Sequence, residues 1–153
     1  MQTTLMNHSN KTRPITPPNV PLDRGEIEAR LHSILGHFFV VFARVELNLS
    51  LRVGGDGSFA DKLARLLSES GKLDDEKTFC KTLAWYMAAD SVREMRNLLA
   101  HGRWGFLMHS QQVAHVSGYP PDPQKERGFS LPELETIVRD ADLLHLELAR
   151  LIT

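Results

Sequence analysis

The chain of 153 residues contains one cysteine, Cys80, so it cannot form an internal disulfide bond. A single thiol is typical of proteins that work in a reducing compartment. A strong charge of either sign is also absent, since 18 lysines and arginines oppose 19 aspartates and glutamates. No overall positive field attracts nucleic acid, so any RNA-binding surface must be a local patch.

Long apolar runs and metal-binding spacings are absent as well. The longest uninterrupted apolar run covers residues 38–43, whereas a membrane-spanning helix needs about 20 residues. The first residues have no apolar segment of the signal-peptide kind. The seven histidines and Cys80 show no zinc-site spacing, and the glycines at 53–58 lack the lysine of a phosphate-binding loop. We therefore expect a cytoplasmic protein with no metal, no cofactor and no membrane association.

Helical periodicity dominates what is present. Apolar residues recur every three or four positions, which predicts helices at 22–53, 58–71, 74–101 and from 130 onwards. Ser130 and Glu133 form a capping box that opens the last helix. Residues 103–117 alternate in part and predict a small hairpin, and the proline-rich segment 118–123 predicts a surface loop. The fold class is therefore all-α: an up-and-down bundle of four main helices with a small β-hairpin inserted before the last helix.

The length of the chain suits one domain, preceded by a short tail. Residues 1–21 contain four prolines among polar residues, a composition that cannot hold a helix and has little to bury. We predict a flexible tail there, or an arm that wraps a partner subunit, and a helical domain over residues 22–153.

The centre of the first helix, residues 38–47, is apolar on nearly every side, which predicts cover on more than one side, by its own bundle or by another subunit. A homodimer is plausible on this ground. Glu46 lies in this stretch, and a carboxylate there needs a cation or hydrogen bonds to offset lost hydration. Arg96 could be that cation, which would make Glu46 a supporting site residue. The alternative is that Glu46 pairs with Arg44, Arg52 or water.

Residues 91–104 (SVREMRNLLAHGRW) are the one stretch whose spacing suggests chemistry rather than packing. Asn97 and His101 lie one turn apart on one helix face, so the amide can bond the imidazole. Gly102 can take the left-handed conformation that ends a helix. Arg96 is offset from His101 by about 140° around a regular helix, too far for both to grip one small group easily. A second copy about a two-fold axis would bring two arginines and two histidines to one cleft.

The hexamer RNLLAH, with Arg96, the polar Asn97 and His101 ending a helix before Gly102, resembles the signature of the HEPN superfamily. The resemblance covers the helical core, roughly residues 22–152, and only the hexamer is a diagnostic match. It implies a metal-independent endoribonuclease acting at a dimer cleft in a toxin–antitoxin or phage-defence setting. RNA and an antitoxin or other protein are the partners it implies.

The chemistry implied by this resemblance assigns a role to each residue. His101 would take or return a proton, which imidazoles do readily near neutral pH. Arg96 would hold the phosphate in its planar fork and stabilise the charge of the transition state. Asn97 would orient His101 or bond the phosphate. The products would carry a 2′,3′-cyclic phosphate and a free 5′-hydroxyl.

Neighbouring residues would bind the RNA or support the site. Arg93 and Arg103 add local positive charge, and Trp104 would stack on an unpaired base or pack the hairpin. Glu94 belongs to a polar stripe that would line a shared cleft beside His101. Many toxin members have a tyrosine two residues after the histidine, where this chain has Arg103, which puts in doubt any geometry that depends on the tyrosine.

Two other interpretations remain open. A non-catalytic HEPN-like module would use the same cleft to bind a protein partner or a nucleotide. An unrelated helical scaffold would contain RNLLAH only as a helix end. An enzyme requires Arg96 and His101 to be accessible and convergent across a dimer, a binding module requires only the cleft, and a scaffold would leave the two side chains apart.

Overall fold

A computed structural model describes residues 23–106, 113–117 and 126–151. It confirms the prediction of a bundle of four helices with a small antiparallel sheet inserted before the last helix. The predicted tail at 1–21, the turn of the hairpin and the loop at 118–123 lie outside the described residues. In chain order the elements are α1 Arg24–Val53, α2 Phe59–Gly71, α3 Glu76–His101, β1 Arg103–Phe106, β2 Ala114–Ser117, β3 Arg127–Phe129 and α4 Leu131–Leu151.

Helix α1 begins at a capping box that joins Asp23 and Glu26. The Asp23 carboxylate accepts the Glu26 N–H at 2.8 Å, and the Glu26 carboxylate accepts the Asp23 N–H at 2.9 Å. Helix α4 begins in the same way at Ser130 and Glu133, as predicted. These reciprocal bonds satisfy backbone donors that have no partner within the helix, and they fix where each helix begins.

Paired side chains give the directions of the helices that surround the core. Arg30 pairs with Glu135, and seven residues further along both helices His37 lies 3.5 Å from Asp142. Helices α1 and α4 therefore run in the same direction. Trp85 of α3 donates its indole N–H to the Leu144 carbonyl at 3.0 Å, which joins α3 to α4.

The core lies between the helices and under the sheet. Helix α1 contributes most to it, and within the described residues it is also a helix long and apolar enough to cross a membrane, a property that core helices share. Its buried side chains are Leu31, Phe38, Val41, Phe42, Val45 and Leu49.

The sheet has three strands in the order β1-β2-β3, where the sequence predicted a two-stranded hairpin. Trp104 of β1 lies opposite Val116 of β2, and Ala114 of β2 lies opposite Phe129 of β3. Ala114, Val116 and Phe129 are fully buried, so one face of the sheet covers the core. Strand β3 is three residues long, too short for alternation to reveal it in the sequence.

Candidate functional site

The last two turns of α3 bring three of the predicted site residues together within one chain. Arg96 Nη1 donates to Asn97 Oδ1 at 3.1 Å and lies 3.4 Å from His101 Nε2. The offset of about 140° between Arg96 and His101 around the helix does not keep the two side chains apart, because the long arginine side chain crosses it. We call Arg96, Asn97 and His101 the α3 cluster.

The contact with Arg96 determines what the imidazole can do. A guanidinium has only N–H donors, so a hydrogen bond from Arg96 to His101 requires the tautomer in which Nε2 accepts and Nδ1 carries the proton. Asn97 was expected to fix this tautomer, but its Oδ1 accepts from Arg96 instead. His101 is exposed, whereas Arg96 and Asn97 are half-buried. The α3 cluster therefore places the His101 imidazole beside a guanidinium at the exposed end of the helix.

Gly102 ends α3 for a different reason from the one expected. Its φ of −71° and ψ of 160° are extended, not left-handed, and its N–H donates to the Leu98 carbonyl at 2.8 Å. A Cβ there would lie 2.3 Å from Val116 Cγ1, 2.4 Å from the Leu98 oxygen and 2.8 Å from the Ser117 oxygen. Glycine is needed because β2 passes directly against the end of the helix, and this contact holds His101 beside the sheet.

Arg96 also faces a cleft of about 230 Å³ between α1, α2 and α3. The Phe42 ring lies under its guanidinium, 5.7 Å from Cζ to the ring centroid, and the Phe59 ring packs 4.9 Å from that of Phe42. A cation over an aromatic face is attracted by the ring electrons. Phe42 therefore helps to hold Arg96 at the cleft, whose lining residues are Phe42, Glu46, Ser58, Phe59, Ala60, Arg93, Arg96 and Asn97.

The cation that accompanies Glu46 is none of those proposed from the sequence. Glu46 Oε1 lies 3.4 Å from Nζ of Lys62 on α2, and within the described residues this is its ion pair. Glu46 nonetheless lines the same cleft as Arg96. Lys62 and Phe42 are site-forming residues that the sequence did not reveal. A lysine on an amphipathic helix is typical of a solvated face, and a phenylalanine in an apolar run is typical of a core.

Arg93 also lines the cleft, but its charge is already engaged. Its guanidinium bonds Asp90 at 2.7 Å and Glu94 at 3.2 Å. The hydrogen bond that Arg93 donates to the Asp90 carboxylate raises the pKa of Arg93 above its ordinary value. Glu94, expected beside His101, therefore contacts Arg93, and the positive charge of Arg93 is largely offset within its own helix.

The two residues after Gly102 lie on β1, next to the α3 cluster. Trp104 is half-buried, and its indole N–H donates to the Leu99 carbonyl at 3.0 Å. This contact is that of a packing residue. Arg103 is exposed beside the end of α3.

Among the described residues, no group of three histidine, cysteine or acidic side chains is arranged to hold a metal ion. No family model, curated protein or solved structure matches this chain.

Proposed function

We propose that the protein is a metal-independent endoribonuclease of HEPN type, acting on RNA at a dimer cleft in a toxin–antitoxin or phage-defence setting. One observation carries this proposal: Arg96 Nη1 contacts both Asn97 and His101 at the exposed end of α3. An anion-binding guanidinium and a proton-accepting imidazole thus lie within hydrogen-bond reach of each other. The proposed compartment is the cytoplasm, and the proposed partners are RNA and an antitoxin or other protein.

The proposed reaction needs only groups that this chain has. His101 Nε2 takes the proton of a ribose 2′-hydroxyl, and the 2′ oxygen attacks the adjacent phosphorus. The bond from phosphorus to the 5′ oxygen breaks, which gives a 2′,3′-cyclic phosphate and a free 5′-hydroxyl. Arg96 moves from His101 to the phosphate oxygens and stabilises their extra negative charge. Asn97 limits that movement, because its oxygen already holds the same guanidinium nitrogen.

A second histidine is required to protonate the departing 5′ oxygen, which motivates the proposed homodimer. Across a two-fold axis, His101 of one subunit would act as the base and that of the other as the acid. His101 is exposed at a helix end, where a second subunit can reach it. Helices α1 and α3 would form the interface.

A binding module without catalysis is the second candidate, and the state of Arg93 favours it. Because Asp90 and Glu94 already engage Arg93, the cleft has less free positive charge than a site for a long RNA needs. The cleft volume of about 230 Å³ suits a single phosphate-bearing group. A nucleotide or a protein partner would be the ligand.

The two candidates are separated by incubating the purified protein with total cellular RNA in EDTA. We expect cleavage with cyclic-phosphate ends, reduced about 10²-fold or more in His101→Ala and in Arg96→Ala. Arg139→Ala, which removes an exposed arginine of α4, is the matched control and should cut like the wild type. All variants are first shown to be folded.

Intact RNA after incubation with folded wild-type protein, including tRNA pools, would contradict the nuclease proposal and favour the binding module. Cleavage that persists in His101→Ala would also contradict it, because no other imidazole of the described residues lies in the α3 cluster.

A further inference from the structure

Lys62 is an unusual lysine because it is only 6% exposed. Lysines are almost never this buried without a partner, since the ammonium loses its hydration. Its nearest carboxylate is that of Glu46, 3.4 Å away on α1.

Glu46 lies where it would compete with an anion for Arg96. Its side chain is 39% exposed and lines the same cleft as Arg93 and Arg96. A carboxylate that reaches a guanidinium forms a strong, often bidentate, hydrogen-bonded pair, and it would then occupy the donors that a phosphate needs. Among the described residues, however, Glu46 makes its ion pair with Lys62, and Arg96 contacts Asn97 and His101.

We infer that Lys62 is a positioning residue that holds Glu46 away from Arg96 and so keeps the Arg96 guanidinium available to a phosphate group. The inference deepens the proposed function and rests on it for the identity of the ligand. Lys62 touches no substrate in this arrangement. It acts through the carboxylate that it binds.

The place of the ammonium is fixed by the fold of α2. The Lys62 N–H donates to the Ser58 carbonyl at 3.1 Å in the first turn, and Ser58 is itself held by a capping box with Asp61. Phe59 anchors the same turn by packing on Phe42, the ring that lies under Arg96. The turn that carries Lys62 therefore packs on Phe42, the ring that lies under the Arg96 guanidinium.

The test is a titration of the full-length protein with inorganic phosphate, followed by NMR at the side-chain Nε–H of Arg96. We expect saturable binding in the wild type and about tenfold weaker binding in Lys62→Met, because Glu46 then turns to Arg96. The double variant Lys62→Met/Glu46→Gln should recover most of that loss, since the competing carboxylate is gone. A merely structural role for Lys62 would not produce this rescue.

Lys62→Gln, which keeps a hydrogen-bond donor, accompanies Lys62→Met in case the apolar variant does not fold. If neither variant folds, the phosphate titration of Glu46→Gln tests the inference. Phosphate binding as tight as in the wild type or tighter supports the role proposed for Lys62, and weaker binding overturns it. Unchanged binding in a folded Lys62 variant, a double variant as weak as the single one, or no response of Arg96 to phosphate in the wild type would also overturn it. Absence of RNA cleavage leaves this readout intact, so failure of the nuclease proposal is recognised separately.

Discussion

A single methyl group added at Gly102 should displace the end of α3, where the α3 cluster lies. Substitution by alanine places a methyl group 2.3 Å from Val116 Cγ1 and 2.4 Å from a backbone oxygen, so the end of α3 or strand β2 must shift. We expect Gly102→Ala to lower the free energy of unfolding by about 2–3 kcal/mol, measured by urea denaturation.

Gly36 provides the control for this substitution. It lies inside α1, and a Cβ there would meet nothing within 4 Å. Gly36→Ala should therefore raise the free energy of unfolding by about 0.5–1 kcal/mol, because alanine loses less backbone entropy in a helix. Equal stability of Gly102→Ala and the wild type would show that β2 does not confine the end of α3.

The residues of the α3 cluster could be predicted from the sequence, but their contacts could not. RNLLAH identifies Arg96, Asn97 and His101 because their order and helix-end position are properties of the local chain. The bond between Arg96 and Asn97 depends on rotamers of long side chains, which sequence spacing does not determine. The partner of Glu46 was missed because Lys62 is 16 residues away on another helix, and its burial is a property of packing.

At the scale of elements, helix starts are the features that sequence predicts best. Ser58 caps α2 and Ser130 caps α4 as expected, since a cap is a bond between residues three apart. Residues 127–129 could not be predicted as a strand, because their structure comes from pairing with β2. The extended conformation of Gly102 likewise follows from tertiary contact and not from its place after a helix.

The acidic caps also make the helices sensitive to low pH. Three carboxylates at helix starts have pKa values below their ordinary values. The Ser58 side chain and backbone donate hydrogen bonds to Asp61. The Thr78 side chain and backbone do the same for Asp75, and the Ser130 backbone and side chain for Glu133. The ordinary values are 3.8 for aspartate and 4.5 for glutamate. A carboxylate whose pKa is lower in the folded state stabilises the fold above its ordinary pKa, and this contribution is lost as the pH falls through the lowered value.

We therefore expect the melting temperature of the wild type to fall steeply below about pH 4.5. The triple variant Asp61→Asn, Asp75→Asn and Glu133→Gln should melt lower than the wild type at neutral pH and show a flatter decline, so that the two curves converge in acid. Glu147→Gln, on the exposed side of α4, is the control for the loss of one carboxylate that caps no helix. Parallel curves for the triple variant and the wild type would show that the caps do not contribute through ionisation.

At the scale of the whole molecule, exposed apolar side chains on α1 and α3 offer positions at which the proposed homodimer can be tested. Val40, Leu47 and Leu51 of α1 are 52%, 58% and 77% exposed, and they recur at helical spacing as one stripe. On α3, Met87 is 65% exposed and lies one turn before Asp90 and two turns before Glu94. Exposed apolar groups of this size are characteristic of interaction surfaces.

If α1 and α3 both contribute to the homodimer, Leu47→Glu and Met87→Glu should each shift the protein from dimer to monomer in analytical ultracentrifugation at micromolar concentration. A glutamate there would have to be buried without a partner in the interface. Leu73→Glu, at a leucine that is 55% exposed between α2 and α3, is the control and should remain dimeric.

Loss of the dimer in Leu47→Glu alone would mean that the subunits join through α1 away from the α3 cluster. The two histidines would then not share a cleft, and a single subunit would have to supply both the acid and the base.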